Sequence, residues 1–148
     1  MAINNNKVIS DGLIKARKII DDRMLVALRE TAWDLTNATE VPIWTHNLWD
    51  SIGCGIFKDG VLMEVTYPPK KAEEPRTDIY GINVPKRDYW GIEELKDTVT
   101  SYTPTSDGWV LYYVAAMPYS ELVDDRSDAD VLQEELVKPT FLSHVRRV

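Results

Sequence analysis

Apolar residues near the start of the chain recur at three-, four- and seven-residue steps, with Leu13, Ile20, Met24, Leu28, Thr31 and Leu35 on one helical stripe. Ser10 is a natural cap and Asp11 a first-turn acid, so the pattern predicts one helix from about Asp11 to about Asn37, roughly 40 Å long at ~1.5 Å per residue. Ile14, Ile19, Leu25, Val26, Ala32 and Trp33 widen the stripe beyond a coiled-coil seam. A helix of that width packs on a sheet and has surface left for a neighbouring subunit. Met24 and Leu28, in the middle of the stripe, are therefore candidate interface positions.

Pro42 ends any continuation of the helix, and Thr45 is placed to cap a short helical turn through Leu48 and Trp49. The period then changes from helical to alternating. Ile52, Cys54 and Ile56 alternate with Gly53, Gly55 and Phe57, and Val61, Met63, Val65 and Tyr67 alternate on the far side of Asp59-Gly60, a two-residue hairpin signal. From 68 to 108 the chain carries Pro68, Pro69, Pro75, Pro85 and Pro104, a charged run from Lys70 to Glu74 and a short extended stretch at Ile79 to Val84. Connections beyond about 15 residues are seldom passive, which predicts an extended arm or insertion, with Tyr80, Tyr89 and Trp90 as aromatic anchors for a neighbour. Trp109 to Ala116 reads as a central strand, and 118–122 and 128–137 as short helices. The predicted fold class is α+β: a single domain over 1–148 with a long N-terminal helix packed on a small antiparallel sheet, short C-terminal helices and a long mid-chain excursion.

Composition narrows the partners. With 24 acidic against 17 basic residues the chain carries a net charge of −7, a sign that does not attract nucleic-acid phosphates. The single cysteine, Cys54, excludes an intramolecular disulfide and fits a buried thiol in a reducing compartment. Met1 to Lys7 lacks the apolar core of a signal peptide, and no apolar run approaches the ~20 residues of a membrane span, so a soluble protein is expected. Five tryptophans and seven tyrosines against two phenylalanines favour rings that carry a polar atom, suited to interfaces and half-wet cores. Trp109 opens an apolar strand and reads as core; Trp44 and Trp49 flank a capping turn, where exposure and a subunit contact are natural.

Candidate chemistry is sparse. Asp124, Asp125, Asp128, Asp130, Glu134 and Glu135 form an acidic cluster, and Asp124 with Glu135 matches the first and twelfth places of a calcium loop. Arg126 at the third place and Ala129 at the glycine position break that match, leaving a solvated helix-start cluster or a contact for a basic surface. His46 and His144 are the only histidines, and neither has a cysteine or acid at metal or nucleophile spacing. Ser51, His46 and Asp50 make a triad on paper without a nucleophile elbow. Phosphate-cradling glycine loops are missing too. The sequence predicts neither a catalytic nor a metal nor a cofactor site.

Three blocks, in order, carry a resemblance. Pro42, Thr45, Leu48, Ser51 and Ile52 follow the long helix; Tyr119, Val123 and Glu121 or Asp124 form a second block; Pro139, Phe141 and Leu142 form a third. The arrangement resembles the neck, or tail-completion, proteins of tailed bacteriophages, whose pattern runs helix, Pro-x-x-Thr-Gly-x-Leu-x-x-Ser-Ile, strands, Tyr-Ala-x-x-Val-Glu and Pro-Phe-Leu. The chain departs from it at Trp44 and His46, where the family has aspartate and glycine. The resemblance implies a structural virion protein that forms a homo-oligomeric ring in the head-tail connector and contacts portal or tail proteins. It implies Glu121, Asp124 and Phe141 as further contact candidates. DNA would pass through the lumen as cargo, repelled by acidic walls. The competing readings are a small carboxylate- or metal-dependent hydrolase using the acids of 124–135, and an acidic adaptor module for a basic partner.

Overall fold

The computed structural model describes residues 4–38, 47–69, 78–79, 82–83, 90–118, 120 and 131–147. Helix α1 spans Asn5–Ala38, six residues longer at its start than the stripe predicted. The cap is Asn4, whose Oδ1 accepts the Lys7 backbone N–H at 3.2 Å. Ser10 therefore lies inside the helix, because nothing at Val8 or Ile9 opposes helical propagation back to Asn4. At ~1.5 Å per residue α1 is about 50 Å long.

Strands β1 (Ile52–Lys58) and β2 (Val61–Thr66) form the expected hairpin, with Lys58 paired to Val61. Asp59 (φ 49°) and Gly60 (φ 82°) both sit in the left-handed region that a two-residue hairpin of matching twist requires. The return strand does not alternate evenly. Ile56 pairs with Glu64 and Phe57 with Leu62, so Met63 is the extra residue of a bulge and projects outward at 47% exposure.

Strand β5 (Trp109–Ala115) pairs antiparallel with the other side of β1, giving the order β2-β1-β5. The central strand is thus β1, and Trp109–Ala115 lies outside it, a correction to the sequence reading. The strong apolar run of β5 reflects packing on both faces of the sheet. A second, two-stranded sheet pairs β3 (Asp78–Ile79) with β4 (Ile82–Asn83), inside the stretch expected to be extended.

Helix α3 (Trp90–Ser101) overturns half of the predicted arm. Leu95 and Val99 are 0% exposed and pack with Phe57, Leu62, Val65, Val110 and Tyr112. The segment 90–108 is therefore a layer of the domain, and the arm reading has lost its C-terminal half. Each such side chain contributes about 1.5–3 kcal/mol on leaving water. Close approach of α3 to β1 depends on Gly53 and Gly55: a Cβ at Gly55 would stand 2.6 Å from a Val99 methyl, and one at Gly53 would meet the Thr66 carbonyl and lie 2.7 Å from Leu95. Tyr102 stacks on Tyr112 with centroids 3.8 Å apart and closes this face. Burial and the neighbouring Tyr102 together push the Tyr112 phenol upward.

The C-terminal half of α1 covers the opposite face. Ala27 and Ala32 (both 0% exposed), with Leu28, Thr31 and Leu35, form its contact stripe. Polar ties then reach all three strands. The Arg29 guanidinium donates to the Glu64 carboxylate on β2 at 2.8 Å and holds that carboxyl below the usual range. Cys54 on β1 lies under the Ala32 carbonyl, and Tyr113 on β5 donates to the Leu35 carbonyl at 3.4 Å. The Trp109 indole donates to Asp21, which marks where contact between helix and sheet begins.

Helix α2 (Asn47–Asp50) and helix α4 (Glu134–Val145) complete the described elements. The C-terminal helix begins later than the predicted 128–137 and runs through Pro139, whose ring removes one intrahelical donor. Residues 121–130 lie outside the described residues, as do Thr45 and Pro42.

Cys54 is fully buried, and burial pushes its thiol up to about 12. It is the neutral thiol at any pH below that, by the desolvation of its charged form. Native protein at pH 8 is expected to react with Ellman's reagent only at the rate of global opening, whereas denatured protein labels at once. Prompt stoichiometric labelling of folded protein would contradict this packing.

Candidate functional site

The sequence-derived interface candidates divide sharply. Leu28 is 6% exposed in the contact between α1 and the sheet, and Met24 is half-buried beside it. Trp49, expected at a subunit contact, is 2% exposed: it packs with Leu48, Ile52, Met117 and Val131, and its indole donates to the Pro69 carbonyl at 2.8 Å. Its flat ring fills the end of the subunit's own core, which a turn position read from sequence could not reveal. Trp90 is half-buried against the same cluster and donates to Glu94 at 3.0 Å. Phe141 is half-buried on α4. Trp44, Tyr80, Tyr89, Glu121 and Asp124 lie outside the described residues, as do His46 and most of the acidic cluster.

Ser51 is 0% exposed and its hydroxyl is occupied, donating to the Leu48 carbonyl at 2.8 Å and accepting the Met117 N–H at 3.3 Å. It is a joint between α2 and the chain leaving β5. His144 is more unusual. It is 7% exposed, with Nε2 2.6 Å from Asp34 Oδ2 and Nδ1 2.8 Å from Glu30 Oε2, the latter a close contact outside hydrogen-bond geometry. Glu30 and Asp34 are one helical turn apart on α1, so the ring clamps α4 onto α1. The acids and the histidine are 110 residues apart or more, which is why no spacing in the sequence announced them. Among the described residues no group of three or more His, Cys, Asp or Glu side chains is placed to hold a metal ion. The depression lined by Ser10, Leu13, Ile14, Arg17, Lys18, Asp21 and Asp22 is open surface along one helix.

What remains conspicuous is the first half of α1. Every residue from Asn4 to Ile20 is exposed, so about 24 Å of helix extends past the sheet. Val8, Ile9, Leu13, Ile14, Ile19 and Ile20 on this segment are 54–66% exposed. Leu13 and Ile20 belong to the same periodic stripe as Leu28 and Leu35, and the structure buries only the latter pair. Scattered apolar side chains on a surface are ordinary, but six large aliphatics on one projecting helix form the kind of patch that marks an interaction site. The segment also has its own charge. Lys7, Lys15, Arg17 and Lys18 oppose only Asp11, leaving 13 basic against 23 acidic residues on the rest of the chain. A basic apolar helix thus projects from an acidic body.

No protein-family model matches this chain, and no curated protein or solved structure matches it either. Among the described residues, no helix is long and apolar enough to cross a membrane.

Proposed function

We propose that this chain is a structural subunit of a phage head-tail connector, a neck or tail-completion protein that assembles into a homo-oligomeric ring through which DNA passes. The observation that carries the proposal is the projecting half of α1. Its aliphatic side chains have no cover within the described subunit, and a second protein surface is the natural cover for such a patch. The architecture is compatible with the family that the sequence blocks resemble: a long helix packed on a small antiparallel sheet, with further short helices. In a ring the acidic balance keeps the lumen from gripping the genome, and basic side chains are needed only at joints, where the α1 segment carries four of them. Its partners would then be further copies of itself and adjacent portal or tail proteins, in the virion and, during assembly, in the host cytoplasm.

Mass photometry and negative-stain imaging of purified protein test this directly. Rings or stable higher oligomers are expected at micromolar concentration. Strict monomers over the whole range, alone and with co-expressed portal or tail proteins from the same genome, would remove the connector reading.

A further inference from the structure

Opposite the stripe that α1 lays on the sheet, its outward face carries a pattern that runs through both the projecting and the docked half of the helix. Starting at Val8 and moving by three- and four-residue steps, the exposed positions run to Asn37, and the series is self-complementary about a point between Asp22 and Arg23. Two copies of α1 laid antiparallel about that point would set Ile19 of one against Val26 of the other, twice over; the two residues are 54% and 36% exposed. They would set Lys15 against Glu30 and Asp22 against Arg23, opposite charges at four places across the two-fold axis. Gly12 would face Trp33, which is 50% exposed, and a Cβ at Gly12 meets nothing within 4 Å, so the indole has room.

We infer that the outward face of α1 is a two-fold docking surface for a second copy of this chain, paired antiparallel along about 45 Å of helix. Charge complementarity selects this occupant. A parallel pair in register would put Lys15 beside Lys15 and Glu30 beside Glu30, and the acidic body repels an anionic surface that the basic segment alone would attract. Existing contacts leave the charges usable. Among the described residues Asp22 is engaged by the exposed Lys18 alone, one turn away, a pair of little net worth, and Glu30 is still half exposed beside His144. The flank of the face also fits. His144 places α4 alongside Glu30 and Asp34, where Leu142 and Val145 are 39% and 40% exposed. Antiparallel pairing brings Ile9 and Ile20 of the projecting segment, both 62% exposed, to that same flank of the other copy. An isologous contact of this kind closes on itself and stands apart from any cyclic contact; where both exist, rings pair face to face.

The test uses the full chain with Ile19→Cys and Val26→Cys made separately, the native Cys54 being buried. Under mild oxidation a disulfide-linked dimer is expected when the two variants are mixed, and little or none from either alone. Self-cross-linking of each variant without a mixed product would mean a parallel pair, and no cross-link in any combination would mean the faces do not meet; both outcomes overturn the inference. Sedimentation equilibrium supplies an independent arm. Asp22→Arg should raise the dissociation constant about tenfold or more, and Asp22→Arg with Arg23→Asp should restore it, with unchanged circular dichroism throughout. Failure of that rescue, or a monomer that instead co-sediments with phosphatidylserine vesicles, also overturns it.

Discussion

Leu28→Asp is expected to unfold the subunit, whereas Leu13→Asp on the same stripe, four turns earlier, is expected to leave its melting temperature nearly unchanged. Leu28 is 6% exposed between α1 and the sheet; Leu13 is 66% exposed. Truncating a buried leucine alone costs about 2–5 kcal/mol, and a carboxylate placed there is taken out of water in a stripe where Ala27, Ala32 and Leu35 offer it no partner. The total equals or exceeds about 5 kcal/mol, the lower end of the stability of a whole domain. Leu13→Asp should act on association and solubility only. Thermal unfolding followed by circular dichroism separates the two. A cooperative transition for Leu28→Asp within a few degrees of the parent would mean that α1 is not docked as described, and collapse of Leu13→Asp would mean that the projecting segment is covered within the monomer.

Gly53→Val should be nearly as damaging, for a reason unrelated to hydrophobicity. The first added atom meets the Thr66 carbonyl on the neighbouring strand and already stands 2.7 Å from a Leu95 methyl of α3, before either branch atom is placed. Backbone cannot swing aside as a side chain can, so either the β1–β2 ladder opens or α3 lifts from the sheet. Overpacking of this kind costs about 3 kcal/mol or more. Valine is otherwise favoured in strands, so propensity alone forecasts the opposite sign. Urea unfolding of Gly53→Val beside Gly60→Ala gives the comparison. Gly60 has a positive φ and open space around it, so its variant should lose only about 1 kcal/mol from backbone strain. A Gly53→Val variant as stable as the parent would show that α3 does not sit against β1.

The connector reading and the two-fold pairing of α1 make separable demands. The first requires a contact that propagates around an axis; the second requires one that closes between two copies. Variants at Asp22 and Arg23 touch only the second, since neither side chain enters the subunit core. Rings that persist in Asp22→Arg, with face-to-face pairing lost, would separate the two on one grid.

Local chemistry made some of this protein legible from its residues alone. Asp59-Gly60 dictates a tight turn because few other pairs tolerate positive φ at both positions, and the alternation around it placed β1 and β2. The helical period of α1 was equally plain. Its start was not, because Asn4 caps from outside the apolar stripe that Ser10 was expected to open. Helix α3 carries Leu95 and Val99 one turn apart, a short signal hidden among prolines and charges. Only the tertiary structure decided which apolar residues are core. Leu13 and Leu28 obey the same period, yet the sheet extends under one and stops short of the other at Asp21. Trp49 moved from expected surface to core because Met117 and Val131, far along the chain, close over it. His144 found its two acids for the same reason. Periodicity and turn chemistry act between near neighbours and are written in sequence; burial depends on where distant segments end, and that is settled only when the layers stack.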